Sequence, residues 1–490
     1  MRLPSLAWWL ETCILESVIA GLFDWRNRNP VSLLAHRSQP PLPEGRKRSV
    51  KLSFWPLVAA TFFVVSGGAY GTEDIIHGAG YGLGVLILLL TPLLWSLPTA
   101  LLVGELSSAL PVEGGYYAWV RRGLGNFWGF QEAWLSLLAS IFDMAIYPTL
   151  FVAYLTRLVP GLAEGRRGTL VGLAMIVACT ALNLAGVRCV GLASLWLFFL
   201  LSAPFAFIVL LAPFQAGTLA NAPTVPVTST VGLLGGTLIA MWNYMGWDNA
   251  STIAREVERP QHTYPRAMIT AVVLIPLSYL LPVLAMWIAG VPSSAFETGS
   301  WANLAGLLGG NALRIALVVG GMLSAFGLFN TLVMSYSRLP LAMAQDGMLP
   351  SVFAKMHPKT RAPWVAIVVC AAGWALCLEL GFESLVTLDI LLYGASLLLE
   401  FIALVALRIR EPQLSRPFRI PGGLAGAILA GVFPTLLLTL SLVHSQREEI
   451  FGINGLTFGA VMILAGFAVY FATSAFHRTR PAFPAMEDLV

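Results

Sequence analysis

Long apolar runs are the feature that most constrains how this chain can fold. Runs close to the twenty residues needed to cross a hydrocarbon core of ~30 Å recur along almost its whole length, for example at 85–104 and 190–214. Of the 490 residues, 57% are hydrophobic and only 11% are charged, against roughly 25% charged in an ordinary soluble domain. The runs are continuous rather than alternating, which excludes a β-barrel. The sequence therefore predicts an all-α polytopic membrane protein.

The apolar runs after residue 51 predict twelve transmembrane helices. Their centres lie near residues 65, 95, 140, 178, 201, 243, 277, 325, 370, 395, 433 and 463. An even number of spans puts both termini on one side, and placing them in the cytoplasm leaves 24 of the 29 Lys and Arg residues in cytoplasmic segments. Cytoplasmic loops carry an excess of basic residues, so this orientation is the expected one. It also explains the net charge of +4 without a nucleic-acid partner.

The N-terminal segment differs from the rest of the chain. Residues 1–50 are polar and contain one apolar stretch, 5–23, which Glu11 and Glu16 interrupt. Two acids in so short a stretch argue against both a cleaved signal peptide and a membrane span. We expect either an interfacial helix or an upstream extension from a misplaced start.

The residues that would support catalysis or a cofactor are scattered. The five cysteines form no CxxC pair, and the six histidines show no metal-binding pair at helical spacing. The glycine-rich segments lack the lysine of a phosphate-binding loop, which disfavours nucleotide-driven transport. We therefore expect no enzyme activity, no bound metal and no cofactor.

The first span contains an unusual run, Ser66-Gly67-Gly68-Ala69-Tyr70-Gly71, with three glycines in six residues. Each glycine lowers helix propensity by about 1 kcal/mol relative to alanine, so the helix is expected to unwind there. Irregular backbone at membrane depth must face protein or a wet cavity, because lipid cannot satisfy the freed N–H and C=O groups. Close helix packing through small residues is the alternative interpretation.

The sixth span carries a second predicted break at 241–248, where Trp242, Asn243, Gly246 and Asp248 stand in place of leucines. Two interrupted spans at the first position of successive five-span units indicate an inverted-repeat transporter with its site at the midplane. The predicted organisation is a cytoplasmic tail at 1–50, a first repeat at 51–225, a second repeat at 226–407, two further helices at 408–475 and a cytoplasmic tail at 476–490.

The ionisable residues inside the predicted spans are nearly all acids, and none is a lysine. A charged group at the bilayer centre costs at least ~2.5 kcal/mol on insertion scales, so a functional or paired role is the default for each. The eight acids are Glu73, Asp74, Glu105, Glu132, Asp143, Asp248, Asp389 and Glu400.

The acids nearest the predicted midplane are Glu73, Asp143 and Asp248. Asp74 follows Glu73 directly and points about 100° away on a helix, so we expect it to serve the scaffold.

Three other acids lie near span ends, where we expect an interfacial structural role. These are Glu105, Glu132 and Asp389.

A site with acids and no bases favours a cationic amine, because a buried carboxylate needs a partner. Rings at Tyr70, Trp242, Tyr244 and Trp247 would add cation–π contacts of ~0.5 to 2 kcal/mol each, although core packing is the better interpretation for Trp247.

A series of short motifs runs in order through residues 51–475. They are SGGAYGTED at 66–74, WSLP at 95–98, GEL at 104–106, GGY at 114–116, FWGFQE at 127–132, DMAIYP at 143–148, WDNAST at 247–252, EVERP at 256–260, DGMLP at 346–350 and RPFRIP at 416–421. This series resembles the plant polyamine uptake transporters, a subgroup of the amino acid/polyamine/organocation superfamily of permeases. On these motifs the chain is identified as a member of that superfamily.

The resemblance implies a LeuT-like five-plus-five inverted repeat with two additional C-terminal helices. It also implies that the break at 66–71 contacts the polar end of the substrate, that Trp242 is an aromatic gate, and that Asp248 serves gating or proton coupling. Glu73 departs from the pattern of the general amino-acid members, which have a glycine there; a carboxylate would repel that of an α-amino acid. The predicted substrate-binding residues are Ser66, Gly67, Gly68, Ala69, Tyr70, Gly71, Glu73, Asp143, Trp242, Asn243, Gly246 and Asp248.

The expected function is a secondary active transporter that moves amino acids or polyamines by alternating access, with cationic amines favoured. The sequence shows no sodium-site hydroxyl pair in the eighth span, which leaves coupling to a proton or simple exchange. We expect an integral protein of the plasma membrane whose partners are a small amine, the proton and the lipid bilayer. Two alternatives stay open: a permease or exchanger for neutral or cationic amino acids, and an amine sensor that binds without transport.

Overall fold

The computed structural model describes residues 52–112, 114–163, 166–185, 191–224, 232–358, 360, 362–445, 449–450 and 452–477. The predicted N-terminal tail, with its candidate interfacial helix, and residues 478–490 of the predicted C-terminal tail lie outside the described residues.

Helices make up almost all of the described structure, as the apolar runs predict. In chain order they are α1 (Phe54–Val65), α2 (Glu73–Thr91), α3 (Leu97–Ala109), α4 (Gly115–Leu124), α5 (Asn126–Thr156), α6 (Arg167–Leu184), α7 (Gly191–Leu211), α8 (Gly232–Asn243), α9 (Pro260–Ala289), α10 (Trp301–Gln345), α11 (Trp364–Leu376), α12 (Phe382–Arg410), α13 (Gly423–Ser445) and α14 (Gly455–His477). A π-helical turn, Pro92–Ser96, joins α2 to α3.

Two short strands form the described β-structure. Glu449–Ile450 (β1) pairs antiparallel with Ile453–Asn454 (β2) in the connection between α13 and α14.

The helices assemble into the twelve predicted spans, so the predicted fold class is confirmed. Nine stretches of helix in the described chain are long and apolar enough to cross a membrane. The first span consists of α1 and the start of α2, since α2 bends at Gly80, where the backbone is not helical. The sixth consists of α8 and the 3₁₀ helix Asp248–Glu256. The short helix α4 lies between the second and third spans.

The long helix α5 lies at the centre of the bundle and packs most extensively against α10 and α12. Large apolar side chains on the outer helices are exposed, for example Leu210 and Phe471 at 65% and 61%. An apolar exterior around a closely packed interior is the arrangement that a bilayer requires.

The long central helices also bury acids that the sequence places near span ends. Glu132 on α5 and Asp389 on α12 are 0% and 1% exposed. These helices direct both side chains into the bundle, and the interfacial structural role expected for the two residues stays a prediction. The structural role expected for Glu105 agrees with its position on α3, where it accepts hydrogen bonds from Arg408 and from the N–H of Ile420.

Candidate functional site

The first break, residues 66–72, separates α1 from α2 and satisfies much of its own backbone. The N–H of Gly68 donates to Ser66 Oγ at 3.1 Å, and the N–H of Gly71 donates to Glu73 Oε2 at 2.7 Å. Ser324 Oγ of α10 donates to the Gly67 carbonyl at 2.7 Å. Neighbouring helices thus supply the partners that lipid could not.

The two breaks meet at Gly71. Its φ of +88° lies in the left-handed region, and a Cβ there would come within 2.9 Å of the Trp242 ring, so only glycine fits. Asn243 Nδ2 donates to the Gly71 carbonyl at 3.2 Å and thereby joins the end of α8 to the first break. The second break turns at Gly246, where φ is +89°. The sequence predicted both interruptions, and their contact follows from the crossing of the two spans.

Asp143, in the middle of α5, accepts three hydrogen bonds from side chains. Tyr147 and Trp242 donate to Oδ1 at 3.0 and 3.3 Å, and Tyr336 of α10 donates to Oδ2 at 3.0 Å. A carboxylate offers about four acceptor sites, so these three donors leave capacity for a further cationic donor. The bond from the Trp242 indole is the longest of the three and is the one that a ligand would most readily replace.

A cavity lies between the two breaks and opens onto Asp143. We call it the Asp143 cavity. Asp143 is the one charged side chain among its lining residues. The lining consists of Val64, Val65, Ser66, Asp143, Tyr147, Trp242, Asn243, Met245, Gly246, Asn249, Leu328, Leu332, Tyr336 and Tyr393.

A second cavity, the Tyr154 cavity, lies toward the end of α5 that carries Tyr154. The two cavities share Trp242, Tyr147, Ser66 and Leu328, so these side chains form the partition between them. The other residues that line the Tyr154 cavity are Tyr70, Leu150, Tyr154, Gly321, Ser324 and Ala325.

The Trp242 ring packs against two aromatic neighbours, edge-on to Phe382 and tilted against Tyr147. It lies 5.5 Å from the Phe382 ring at 86° and 6.3 Å from the Tyr147 ring. Its exposed fraction is 8%.

Asp248 begins the 3₁₀ helix that follows the second break, and it is 2% exposed. Its Oδ1 accepts a hydrogen bond of 2.6 Å from Tyr393, which lines the Asp143 cavity. A third buried acid, Asp389 of α12, interacts electrostatically with both Asp143 and Asp248. The interior around the cavity is therefore strongly acidic.

Glu73 has a different environment from the other midplane acids. Tyr154 donates to its Oε1 at 2.5 Å, the N–H of Gly299 donates to the same oxygen at 3.1 Å, and the N–H of Gly71 donates to Oε2 at 2.7 Å. The carboxylate ties the first break to α5 and to the segment before α10. It lines neither described cavity, and its predicted contact with substrate stays a prediction. Asp74 serves the same segment, because it accepts a hydrogen bond from Thr298 at 2.8 Å.

The structure thus divides the predicted site residues into two groups. Those at the Asp143 cavity are Ser66, Asp143, Trp242, Asn243 and Gly246, while Tyr70 lines the Tyr154 cavity. The rest line neither cavity and belong to the two breaks or follow them directly: Gly67, Gly68, Ala69, Gly71, Glu73 and Asp248.

Sequence reasoning missed three tyrosines that donate hydrogen bonds to Asp143 or Asp248: Tyr147, Tyr336 and Tyr393. Tyr147 lies four residues after Asp143, a spacing that puts both on one face of a helix, so the sequence held a usable signal for it. Tyr336 and Tyr393 reach the site from α10 and α12 through the tertiary fold alone.

The chain matches the amino acid permease family over residues 52–476. It is 35% identical to a probable polyamine transporter of Arabidopsis thaliana, over 88% of this chain and 86% of that one. It is 36% identical to a polyamine transporter of the same plant, over 81% of each chain. Among solved structures, a manganese transporter mutant of Eremococcus coleocola has the same fold, with a TM-score of 0.55 at 15% identity over 91% of this chain and 99% of that one.

Proposed function

Because the chain belongs to the amino acid permease family and is a secondary transporter of amino acids or polyamines, we propose that its preferred substrate is a linear polyamine whose ammonium group binds Asp143. The observation that carries this proposal is the charge of the Asp143 cavity. Its lining contains one charged side chain, and that side chain is an acid. The names of the polyamine transporters to which the chain is similar support the same class of substrate.

The groups around Asp143 suit an ammonium ion. Tyr147, Tyr336 and Trp242 hold the carboxylate in one orientation, and their rings can add cation–π attraction of ~0.5 to 2 kcal/mol each. The leucines and valines of the lining would contact the methylene chain between amino groups.

An α-amino acid finds fewer matching groups in the same place. Its carboxylate would need donors at the first break, but the N–H groups of Gly68 and Gly71 already bond to Ser66 and Glu73. The lining of the Asp143 cavity contains no basic side chain. An unpaired substrate carboxylate beside Asp143 would be repelled.

The proposed transport cycle uses Trp242 as the gate between the Asp143 cavity and the Tyr154 cavity, with alternating access to the two faces of the membrane. Coupling to a proton or exchange of one amine for another would drive it. We propose a transporter rather than an enzyme, located in the plasma membrane with both termini in the cytoplasm.

Substrate counterflow tests the proposal directly. Purified protein is reconstituted into proteoliposomes preloaded with unlabelled spermidine, and uptake of labelled putrescine is measured with spermidine, arginine or leucine outside as competitors. We expect spermidine to compete most strongly. Stronger competition by leucine or arginine would establish an amino-acid exchanger instead, and binding without counterflow of any of these compounds would establish a sensor.

Replacement of the cavity acid gives the sharpest prediction. Asp143→Asn keeps the side-chain shape but removes the charge that pairs with the ammonium, so the Kd for spermidine should rise at least ~30-fold, equivalent to about 2 kcal/mol. Glu258→Gln is the matched control, because Glu258 is exposed and does not line the cavity. Binding is measured by isothermal calorimetry on purified protein. Equal affinities of the wild type and Asp143→Asn would show that the amine binds elsewhere.

A further inference from the structure

Two buried acids outside the Asp143 cavity have no role in the site described so far. Glu132 of α5 and Glu400 of α12 are both 0% exposed. Within the described chain, neither oxygen of Glu400 has a hydrogen-bond partner, and Glu132 has a partner for Oε1 only, the hydroxyl of Ser136 at 2.8 Å. Buried carboxylates without partners are rare, because desolvation is costly and is normally offset by donors or cations.

The titratable groups that interact with Glu400 lie on four different elements, and all are acids or phenols. Glu400 interacts electrostatically with Glu132 and with Asp248 of the 3₁₀ helix. Tyr116 of α4 and Tyr393 of α12 also interact electrostatically with Glu400. None of these groups is a base, so the carboxylates cannot be neutralised by a side chain among them.

A tyrosine with an unpartnered hydroxyl accompanies the two acids. The Tyr116 hydroxyl is completely buried, has no hydrogen-bond partner in the described structure, and interacts with Glu132, Glu400 and Asp248 together. A buried phenol normally finds a partner. Tyr116, Glu132 and Glu400 lie on three helices that pack against one another, α4, α5 and α12. We call Glu132, Glu400 and Tyr116 the Glu400 cluster.

The Glu400 cluster is separate from the amine site. Neither cavity described above is lined by a member of the cluster, so an amine bound at Asp143 would not touch these oxygens. A proton needs no cavity. Two neighbouring carboxylates in a dry interior repel one another when both are ionised, and one shared proton removes that repulsion.

We propose that the Glu400 cluster is the binding site of the coupling proton, and that it communicates with the amine site through Asp248 and Tyr393. Tyr393 lies on the same helix as Glu400, lines the Asp143 cavity, and donates to Asp248 at 2.6 Å. In each cycle a hydronium ion on one side of the membrane gives up a proton, so that its O–H bond breaks as the O–H bond of one carboxyl group forms. On the other side the carboxyl O–H bond breaks and a water molecule takes the proton to form hydronium. This inference rests on the proposed transport function and adds the site of coupling.

Transport measurements on charge-neutral variants test the assignment. Wild type, Glu400→Gln, Glu132→Gln and the exposed control Glu258→Gln are reconstituted into proteoliposomes that contain a pH-sensitive dye. For Glu400→Gln and Glu132→Gln we expect counterflow of putrescine within about twofold of the wild type. Accumulation driven by a pH gradient should fall at least tenfold, together with the dye signal. Accumulation at the wild-type level in both variants would overturn the proposal.

Two further results separate failure of this inference from failure of the proposed function. Wild-type counterflow that no pH gradient can drive uphill would overturn the proton site but leave amine transport intact. If the wild type shows no counterflow of any amine, the proposed function fails, and the proton site is then judged by infrared spectroscopy of the purified protein. The proposal expects a protonated carboxyl C=O stretch that Glu400→Gln or, if that variant does not fold, Tyr116→Phe removes or shifts and Glu258→Gln retains. A spectrum unchanged in the variants would refute it.

Discussion

One helix, α12, carries two buried charged side chains with opposite surroundings: Arg408 is paired with an acid, and Glu400 has no partner among the described residues. Near its end, Arg408 is 6% exposed and donates to Glu105 Oε1 at 2.9 Å, and Arg416 approaches the same oxygen at 3.4 Å. About two turns earlier, Glu400 is completely buried with no hydrogen-bond partner among the described residues.

The difference separates structure from function within a single element. Glu105 holds together α3, α12 and the loop before α13, since it also accepts the N–H of Ile420 at 2.8 Å. A fully paired carboxylate of this kind fixes a geometry and has no capacity for a transported ion. An unpaired carboxylate stabilises nothing in the resting protein, and its retention is accounted for by a cation that comes and goes.

The largest expected effect is a loss of stability when the buried pair between Glu105 and Arg408 is broken. Glu105→Gln leaves the buried Arg408 guanidinium without its carboxylate partner, and the free energy of unfolding should fall by about 3 to 5 kcal/mol. Thermal unfolding in detergent measures it. Glu411→Gln is the control, because the Arg122–Glu411 pair is exposed, with side-chain exposures of 44% and 32%, and should contribute only ~0 to 1 kcal/mol. Equal losses in the two variants would remove the distinction between the buried and the surface pair.

An intermediate effect is expected at Glu73, which is paired with donors rather than cations. Tyr154→Phe removes the shortest of its three hydrogen bonds and should lower the free energy of unfolding by about 1.5 to 3 kcal/mol. Tyr81→Phe serves as the matched control, because the buried Tyr81 hydroxyl has no partner in the described structure and its removal should cost almost nothing. A Tyr154→Phe protein as stable as the control would show that Glu73 does not depend on this bond.

The smallest expected effect has the opposite sign. Glu400→Met replaces an unpartnered buried carboxyl group with an apolar side chain of similar length and should raise the free energy of unfolding by about 1 kcal/mol. The same melting experiment measures it beside Glu105→Gln. A loss of stability comparable with that of Glu105→Gln would mean that Glu400 has a structural partner, and the comparison would collapse.

Much of the site could be anticipated from local patterns. The glycines of 66–71 and the polar residues of 241–248 predict the two breaks because helix propensity and the demands of the bilayer act on short segments. Asp143 was identifiable as a buried acid because it lies near the middle of a predicted span. The hydrogen bond from Trp242 to Asp143 joins α8 to α5, and no local pattern encodes that distance.

The features that the sequence did not predict have a common physical origin. Position along a span predicts depth in the membrane but not the direction of a side chain within the bundle, so the sequence did not show that Glu132 and Asp389 are almost completely buried. For Glu73, sequence position alone could not show that Tyr154 and Gly299 would occupy the carboxylate.

The sequence by itself determined a twelve-span helical membrane protein with two broken helices and an acidic interior, because hydrophobicity, helix propensity and charge are properties of residues and short segments. Tertiary structure alone decided which acid meets the cavity, which is paired with arginine, and which is left without a partner. Those outcomes depend on contacts between helices far apart in the chain, and a carboxylate's role follows from the donors and cations that packing brings within hydrogen-bond distance.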